Sequence, residues 1–142
     1  MGPADKFWLP AMRPAAYAWQ PTCVPLRCLL VDDNTAFLEA AAGLLGREGM
    51  RVVGVASDIT DALRQTRELR PDVILVDIML GRESGFDLAQ RLAGSDSGGA
   101  TVILISTHAE ADFADLIDGA PVAGFVPKSE LSAAAIEQLV GG

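Results

Sequence analysis

Val73-Ile74-Leu75-Val76-Asp77 sets four bulky aliphatic residues in a row and closes the run with a carboxylate. A short run that is apolar on both faces reads as a strand buried on both sides, as in a parallel sheet covered by helices. Similar runs lie on either side of it. Leu29-Leu30-Val31 ends in Asp32-Asp33, and Val122-Ala123-Gly124-Phe125-Val126-Pro127 ends in Lys128. Open α/β sheets take their ligands at the carboxyl ends of the strands, so three acids and one lysine should converge on one rim. Crowded carboxylates repel one another unless a cation lies among them, and a hard divalent ion suits oxygen ligands. The residues alone therefore point to a Mg²⁺ site beside a lysine.

Outward from these runs, strand-like and helix-like segments alternate. A strand over 27–32 leads into a helix from Thr35 to Glu48, stopped by Gly49, with Phe37, Ala41, Leu44 and Leu45 on its inward face. Leu38 lies about 100° around from Phe37, off that face. After a strand from Arg51 to Ala56, Asp58 caps a helix from Ile59 to Leu69 with Ile59, Ala62, Leu63 and Thr66 inward, and Pro71 prevents its continuation. The strand from Asp72 to Asp77 follows. Ser84 opens a helix running to Ala93 with Leu88, Ala89 and Leu92 as its stripe, and residues 94–99 read as loop. Next come a strand from Thr101 to Ser106 and a short helix from Ala109 to Asp118 with Phe113, Leu116 and Ile117 inward. A strand from Val122 to Val126 and a last helix capped by Ser129 complete the pattern. Five strands alternating with five helices through right-handed crossovers give a doubly wound α/β domain.

Half of the 142 residues are apolar, enough for one domain with a real core. Residues 1–26 hold Pro3, Pro10, Pro14, Pro21 and Pro25 with no sustained period and read as an extension, leaving 27–142 as the folded domain. The net charge of −8 makes nucleic acid and anionic membrane poor partners. Cys23 and Cys28 match neither a disulfide framework nor a zinc spacing, and Cys28 reads as a small core residue. No stretch has the length of a membrane span or the layout of a secretion signal, so a cytoplasmic setting is expected.

Taken together, Asp32-Asp33, Asp77, Ser106 and Lys128 resemble the response-regulator receiver domain of two-component signalling, over residues 27 to 140. Gly85, eight residues after Asp77, and Phe125, three before Lys128, also fit. The resemblance implies a flavodoxin-like receiver fold with strand order 2-1-3-4-5. It makes Asp77 the acceptor of a phosphoryl group from a sensor histidine kinase or phosphotransfer protein. Mg²⁺ would be held by Asp33, Asp77 and the Met79 backbone carbonyl, with Asp32 acting through water. Lys128 would pair with the phosphoryl group and, before modification, with Asp77. Ser106 would hydrogen-bond a phosphoryl oxygen, and Phe125 would turn inward behind it as the second half of a switch. Met79, Thr107 and His108 stand beside the site as modulators, Thr107 where the family usually has alanine or glycine. Ser129 follows Lys128 where the family usually has proline, so the local loop differs. The first helix would dock the kinase, with Leu38 as an exposed contact.

The chemistry agrees with this assignment. A carboxylate is a weak nucleophile toward phosphorus, so catalysis has to come from positioning and charge neutralisation. A Mg²⁺-dependent aspartyl-phosphate phosphatase would need a second acid two residues after the nucleophile, where Met79 stands. A flavodoxin-like cofactor binder needs a first loop rich in Ser, Thr and Gly, and Asp32-Asp33-Asn34 would repel its phosphate. A DNA-binding regulator needs a helix-turn-helix domain, for which no room remains before Gly142. The reading is a stand-alone receiver that acts on an unknown downstream protein, with a receiver fragment of a DNA-binding transcriptional regulator as the alternative. The output would be the face of the fourth helix, fifth strand and fifth helix. There Glu110, Asp112, Asp115 and Asp118 favour a basic partner.

Overall fold

The computed structural model describes residues 25–94 and 99–141, so the proline-rich stretch through residue 24 and most of the 94–99 loop lie outside the described residues. Strands β1 (Arg27–Val31), β2 (Arg51–Ala56), β3 (Val73–Asp77), β4 (Thr101–Ser106) and β5 (Gly124–Pro127) form one parallel sheet in the order β2-β1-β3-β4-β5. Helices α1 (Thr35–Arg47), α2 (Ile59–Leu69), α3 (Gly85–Gly94), α4 (Ala114–Asp118) and α5 (Ala133–Gly141) alternate with them. This is the doubly wound architecture and strand order expected. β3, four aliphatic residues closed by Asp77 and buried at every position, lies in the middle of the sheet between β1 and β4.

The register lines up the strand ends. Val31 pairs with Val76, Asp77 with Ile105, and Ser106 with Pro127. Successive side chains along each strand go to opposite faces and build two cores. Cys28, Leu30, Leu75 and Ile103 pack with α1 and α5, while Leu29, Ile74, Val76 and Leu104 pack with α2 and α3. Each fully buried leucine or isoleucine contributes about 1.5–3 kcal/mol. Cys28 is the core residue expected, and burial pushes its thiol up to about 12, which keeps it unreactive.

Local chemistry sets the helix ends. Asp58 Oδ1 accepts from the Asp61 N–H at 2.8 Å and caps α2, which stops at the left-handed Arg70 (φ 49°) just before Pro71. Asn34 Oδ1 caps α1 by accepting from the Phe37 N–H at 3.0 Å. No helix among the described residues is long and apolar enough to cross a membrane.

Four local expectations are corrected. On α1 the buried stripe is Leu38, Ala41 and Leu45, and Phe37 is only half-buried. Both frames are apolar, and the one chosen places the smaller side chain against the sheet and the ring at the rim. In α5 the cap is Ser132, whose Oγ accepts from the Ala135 N–H at 3.0 Å, rather than Ser129, which lies in a 3₁₀ turn over Lys128–Glu130. Glu48 Oε1 also accepts from the Ala133 N–H at 2.6 Å, tying the end of α1 to the start of α5. The segment after β4 divides into a 3₁₀ turn over Glu110–Phe113 and the five-residue α4, too short to present a full stripe, and Leu116 is 58% exposed. Finally, β5 begins at Gly124 rather than Val122, because the Val122 N–H turns back to the Ala120 carbonyl at 2.9 Å.

Candidate functional site

Asp32 follows β1 directly and is fully buried, with its N–H bonded to the Ala56 carbonyl of β2 at 3.0 Å. Asp33, next in the chain, is exposed, and Asp77 ends β3 in a buried position. One carboxylate oxygen from each of the three lies within 4.8 Å of the others. Lys128, just beyond β5, reaches into this group. Its Nζ donates to Asp77 Oδ2 at 3.1 Å and lies 2.6 Å from Asp32 Oδ2. The pair with Asp77 was expected from the sequence, whereas the shorter contact with Asp32 was not. Asp32 Oδ1 accepts from the Asn34 N–H at 2.9 Å, while its buried Oδ2 accepts no directed hydrogen bond and has the ammonium as its neighbour. On another side of Lys128 lies the Phe37 ring, with Nζ 4.3 Å from its centroid.

Desolvation raises the pKa of Asp77 above the usual carboxylate value. The Met79 N–H lowers it, Asp32 raises it and Lys128 lowers it, in that order of size. For Lys128, burial alone would lower the pKa, but the contacts with Asp32 and Asp77 outweigh burial and raise it. The lysine is therefore a permanent cation between two acids. The donor set fits a hard divalent ion. Every donor is a carboxylate oxygen, Asp33 opens to solvent where an ion keeping part of its water shell would enter, and the buried Asp32 Oδ2 has unused acceptor capacity.

Met79 enters the site through its backbone, with its N–H donating to Asp77 Oδ1 at 3.2 Å and its side chain 53% exposed. It belongs to a small hairpin, Met79–Leu80 against Glu83–Ser84, in a stretch for which the sequence suggested no strand or helix. The signal was there in Gly81-Arg82, a two-residue turn led by a glycine at φ 63°. Glu83 Oε1 latches this hairpin to the start of α2 by accepting from the Ile59 N–H at 3.0 Å. Gly85 closes it. The Gly85 N–H donates to the Ile78 carbonyl at 2.7 Å, and a Cβ there would overlap the Asp77 carbonyl and come within 2.9 Å of Ile78 Cα.

Ser106 is buried at the end of β4, with Oγ accepting from the His108 N–H at 3.0 Å and facing His108 Nδ1 at 3.5 Å. Thr107 and His108 are exposed, and the His108 ring stands edge-on to Phe113 at 5.8 Å. Phe125 is half-buried on β5, on the same face of the sheet as Phe113 and Ile117. The structure thus gathers Asp32, Asp33, Asp77, Lys128 and the Met79 N–H. It places Ser106, Thr107 and His108 at the neighbouring strand end, with the Ser106 hydroxyl engaged by His108. Sequence reasoning missed the Phe37 ring and the Glu83 latch.

The family model for the response regulator receiver domain matches residues 28–140. A two-component response regulator of the LuxR family from Aurantimonas sp. SI85-9A1 aligns with a TM-score of 0.75 at 30% identity, over 84% of this chain and 87% of that one. A CheY-like receiver domain protein from Methanospirillum hungatei shares the fold, with a TM-score of 0.68 at 22% identity over 82% of this chain and 91% of that one. Among curated proteins, the DNA-binding response regulator MtrA of Mycobacterium tuberculosis is 39% identical over 93 residues, which are 66% of this chain and 39% of MtrA. A protein-glutamate methylesterase/protein-glutamine glutaminase of Myxococcus xanthus is 35% identical over 91 residues, 63% of this chain and 26% of that protein. The matched region covers well under half of either curated relative.

Proposed function

Because the chain belongs to the response regulator receiver domain family, we propose that Asp77 accepts a phosphoryl group from the phosphohistidine of a sensor histidine kinase or phosphotransfer protein. The observation that carries this reading is the meeting of three carboxylates within 4.8 Å around a lysine that touches two of them. An Asp77 carboxylate oxygen bonds to phosphorus as the P–N bond breaks, and the imidazole keeps the bonding pair and takes up a proton. Asp33, Asp77 and the Met79 carbonyl would hold Mg²⁺, with Asp32 acting through water, and the ion would supply charge neutralisation to the transferring group. Lys128 moves from Asp32 and Asp77 to the phosphoryl oxygens as a point charge. Ser106 leaves the His108 N–H to hydrogen-bond one of those oxygens, and Phe125 turns into the space behind it. Thr107 and His108, exposed beside Ser106, modulate access and lifetime.

The domain spans 27–142, works in the cytoplasm and catalyses only its own phosphorylation and dephosphorylation. Its output is a changed surface for a downstream protein, formed by the acidic segment with Glu110, Asp112, Asp115 and Asp118, β5 and α5. A second reading, the receiver portion of a DNA-binding regulator, is favoured by the match to MtrA over 39% of that protein's length. The intact mass of the native protein decides between them.

Phosphorylation with a small phosphodonor, followed by mass spectrometry, tests the central reading. The expected product carries one base-labile acyl phosphate on Asp77, and label retained in Asp77→Asn places the nucleophile elsewhere. The same reading expects Mg²⁺ to stabilise the fold by about 2.7 kcal/mol at a hundredfold excess over its dissociation constant. Asp33→Ala should lose most of that gain in a thermal melt.

A further inference from the structure

We propose that Phe37 is the positioning residue for Lys128: its ring holds the ammonium inside the acidic pocket and thereby sets how tightly the pocket takes a divalent cation. The proposal rests on the reading of this rim as a Mg²⁺ site.

Lys128 is held on three sides. Its Nζ lies 2.6 Å from Asp32 Oδ2, 3.1 Å from Asp77 Oδ2 and 4.3 Å from the Phe37 ring centroid. The face of a benzene ring carries negative charge and attracts a cation, and the attraction grows as water is excluded. Only 11% of the lysine side chain is exposed. A long lysine stem at a rim would otherwise swing its head out to water. Here the ring closes that way out, and the head stays against the acids.

The helix that carries the ring is built for this placement. The Phe37 N–H is fixed by the Asn34 cap at 3.0 Å, in the first turn of α1, directly after Asp32 and Asp33. The face that α1 turns toward the sheet is made by Leu38, Ala41 and Leu45, so Phe37 is free to serve the rim. Its ring also touches the edge of the core, and substitution will cost some stability.

The ammonium and a metal ion draw on the same carboxylates. Asp32 Oδ2 is fully buried with no directed hydrogen bond, and Asp77 Oδ2 accepts from Lys128. While the ring keeps Nζ in place, an arriving dication meets acids already partly neutralised. Removing the ring lets the lysine relax toward solvent and returns the full charge of both carboxylates to the metal. The ring therefore lowers the resting affinity for the metal and keeps the lysine at hand for the phosphoryl group.

The test uses the full chain and two readings. In NMR spectra without metal, the Lys128 ε-methylene resonances should be shifted upfield by the ring, unshifted in Phe37→Leu and shifted in Phe37→Tyr, which keeps the ring. In calorimetric titration with Mg²⁺, Phe37→Leu should bind about threefold or more tighter than wild type, the scale of one cation–π contact, and Phe37→Tyr should match wild type. If Phe37→Leu does not fold, Phe37→Met takes its place in both readings. Equal Mg²⁺ affinity in the ring-less variant, or an unshifted ε-methylene in wild type, overturns the proposal. A wild type that binds no Mg²⁺ overturns the metal reading and the competition with it, and the ε-methylene shift then decides separately whether the ring positions the lysine.

Discussion

Asp77 is a carboxylate whose surroundings work against its charge. Burial, with the neighbouring Asp32 charge, raises its pKa more than the Met79 N–H and the Lys128 ammonium lower it. The folded value thus lies above the unfolded one, the reverse of the usual salt-bridged aspartate. Between the two, the native state binds more protons, so this group makes stability fall as pH rises from 3.8 through the raised folded pKa. At neutral pH its ionised form is a net cost. Asp77→Asn, which leaves Asp32 for the lysine, should be more stable than wild type at pH 7, and the gap should close as pH falls toward 3.8. Urea denaturation at several pH values measures this, and a gap independent of pH would show that Asp77 is not the group responsible. The position of this acid was legible in the sequence because strand ends are easy to see. The partner of Asp32 was not, since nothing in a linear chain says which of two neighbouring acids a lysine 51 or more residues away will approach more closely.

Elements were legible where one signal dominated. Asp58 as a cap and Pro71 as a stop acted on α2 as read, and four aliphatic residues in a row made β3 unmistakable. α1 was misread because Phe37 and Leu38 are adjacent and apolar, so two helical frames differing by about 100° fit equally well. Only the sheet beneath chooses between them. The correction changes an experiment. Leu38, 7% exposed, is a core residue, and Leu38→Glu would bury a charge at an expected cost of about 3 kcal/mol or more. Phosphorylation by a kinase and by a small phosphodonor should therefore fall together, as folding is lost. Loss of the kinase reaction alone, with an unchanged melt, would return Leu38 to the surface. The hairpin over 79–84 and the broken segment over 110–118 escaped notice for another reason. Each is too short to show a period, and their form depends on partners far along the chain, such as Ile59 for Glu83.

At the scale of the whole molecule, the sheet order followed from family resemblance, while the alternation of elements pointed only to a doubly wound sheet. The two ends of the Asp77–Lys128 contact stand on unlike supports. Asp77 ends β3, which has a strand bonded along each side and is buried throughout. Lys128 and Phe125 belong to β5 and its immediate continuation, a four-residue strand at the margin of the sheet with β4 as its single neighbour among the described residues. A post in the middle of a fence cannot lean without disturbing both of its neighbours, whereas the last picket moves against one. Any strain created when charge is added at Asp77 will be relieved where resistance is least. Amide hydrogen exchange after phosphorylation should accordingly change over residues 124–130 and leave 73–77 as protected as before; the opposite pattern would mean that the centre of the sheet gives way first. The reaction is thus anchored in a strand braced on both sides, and its effect is delivered through one braced on a single side.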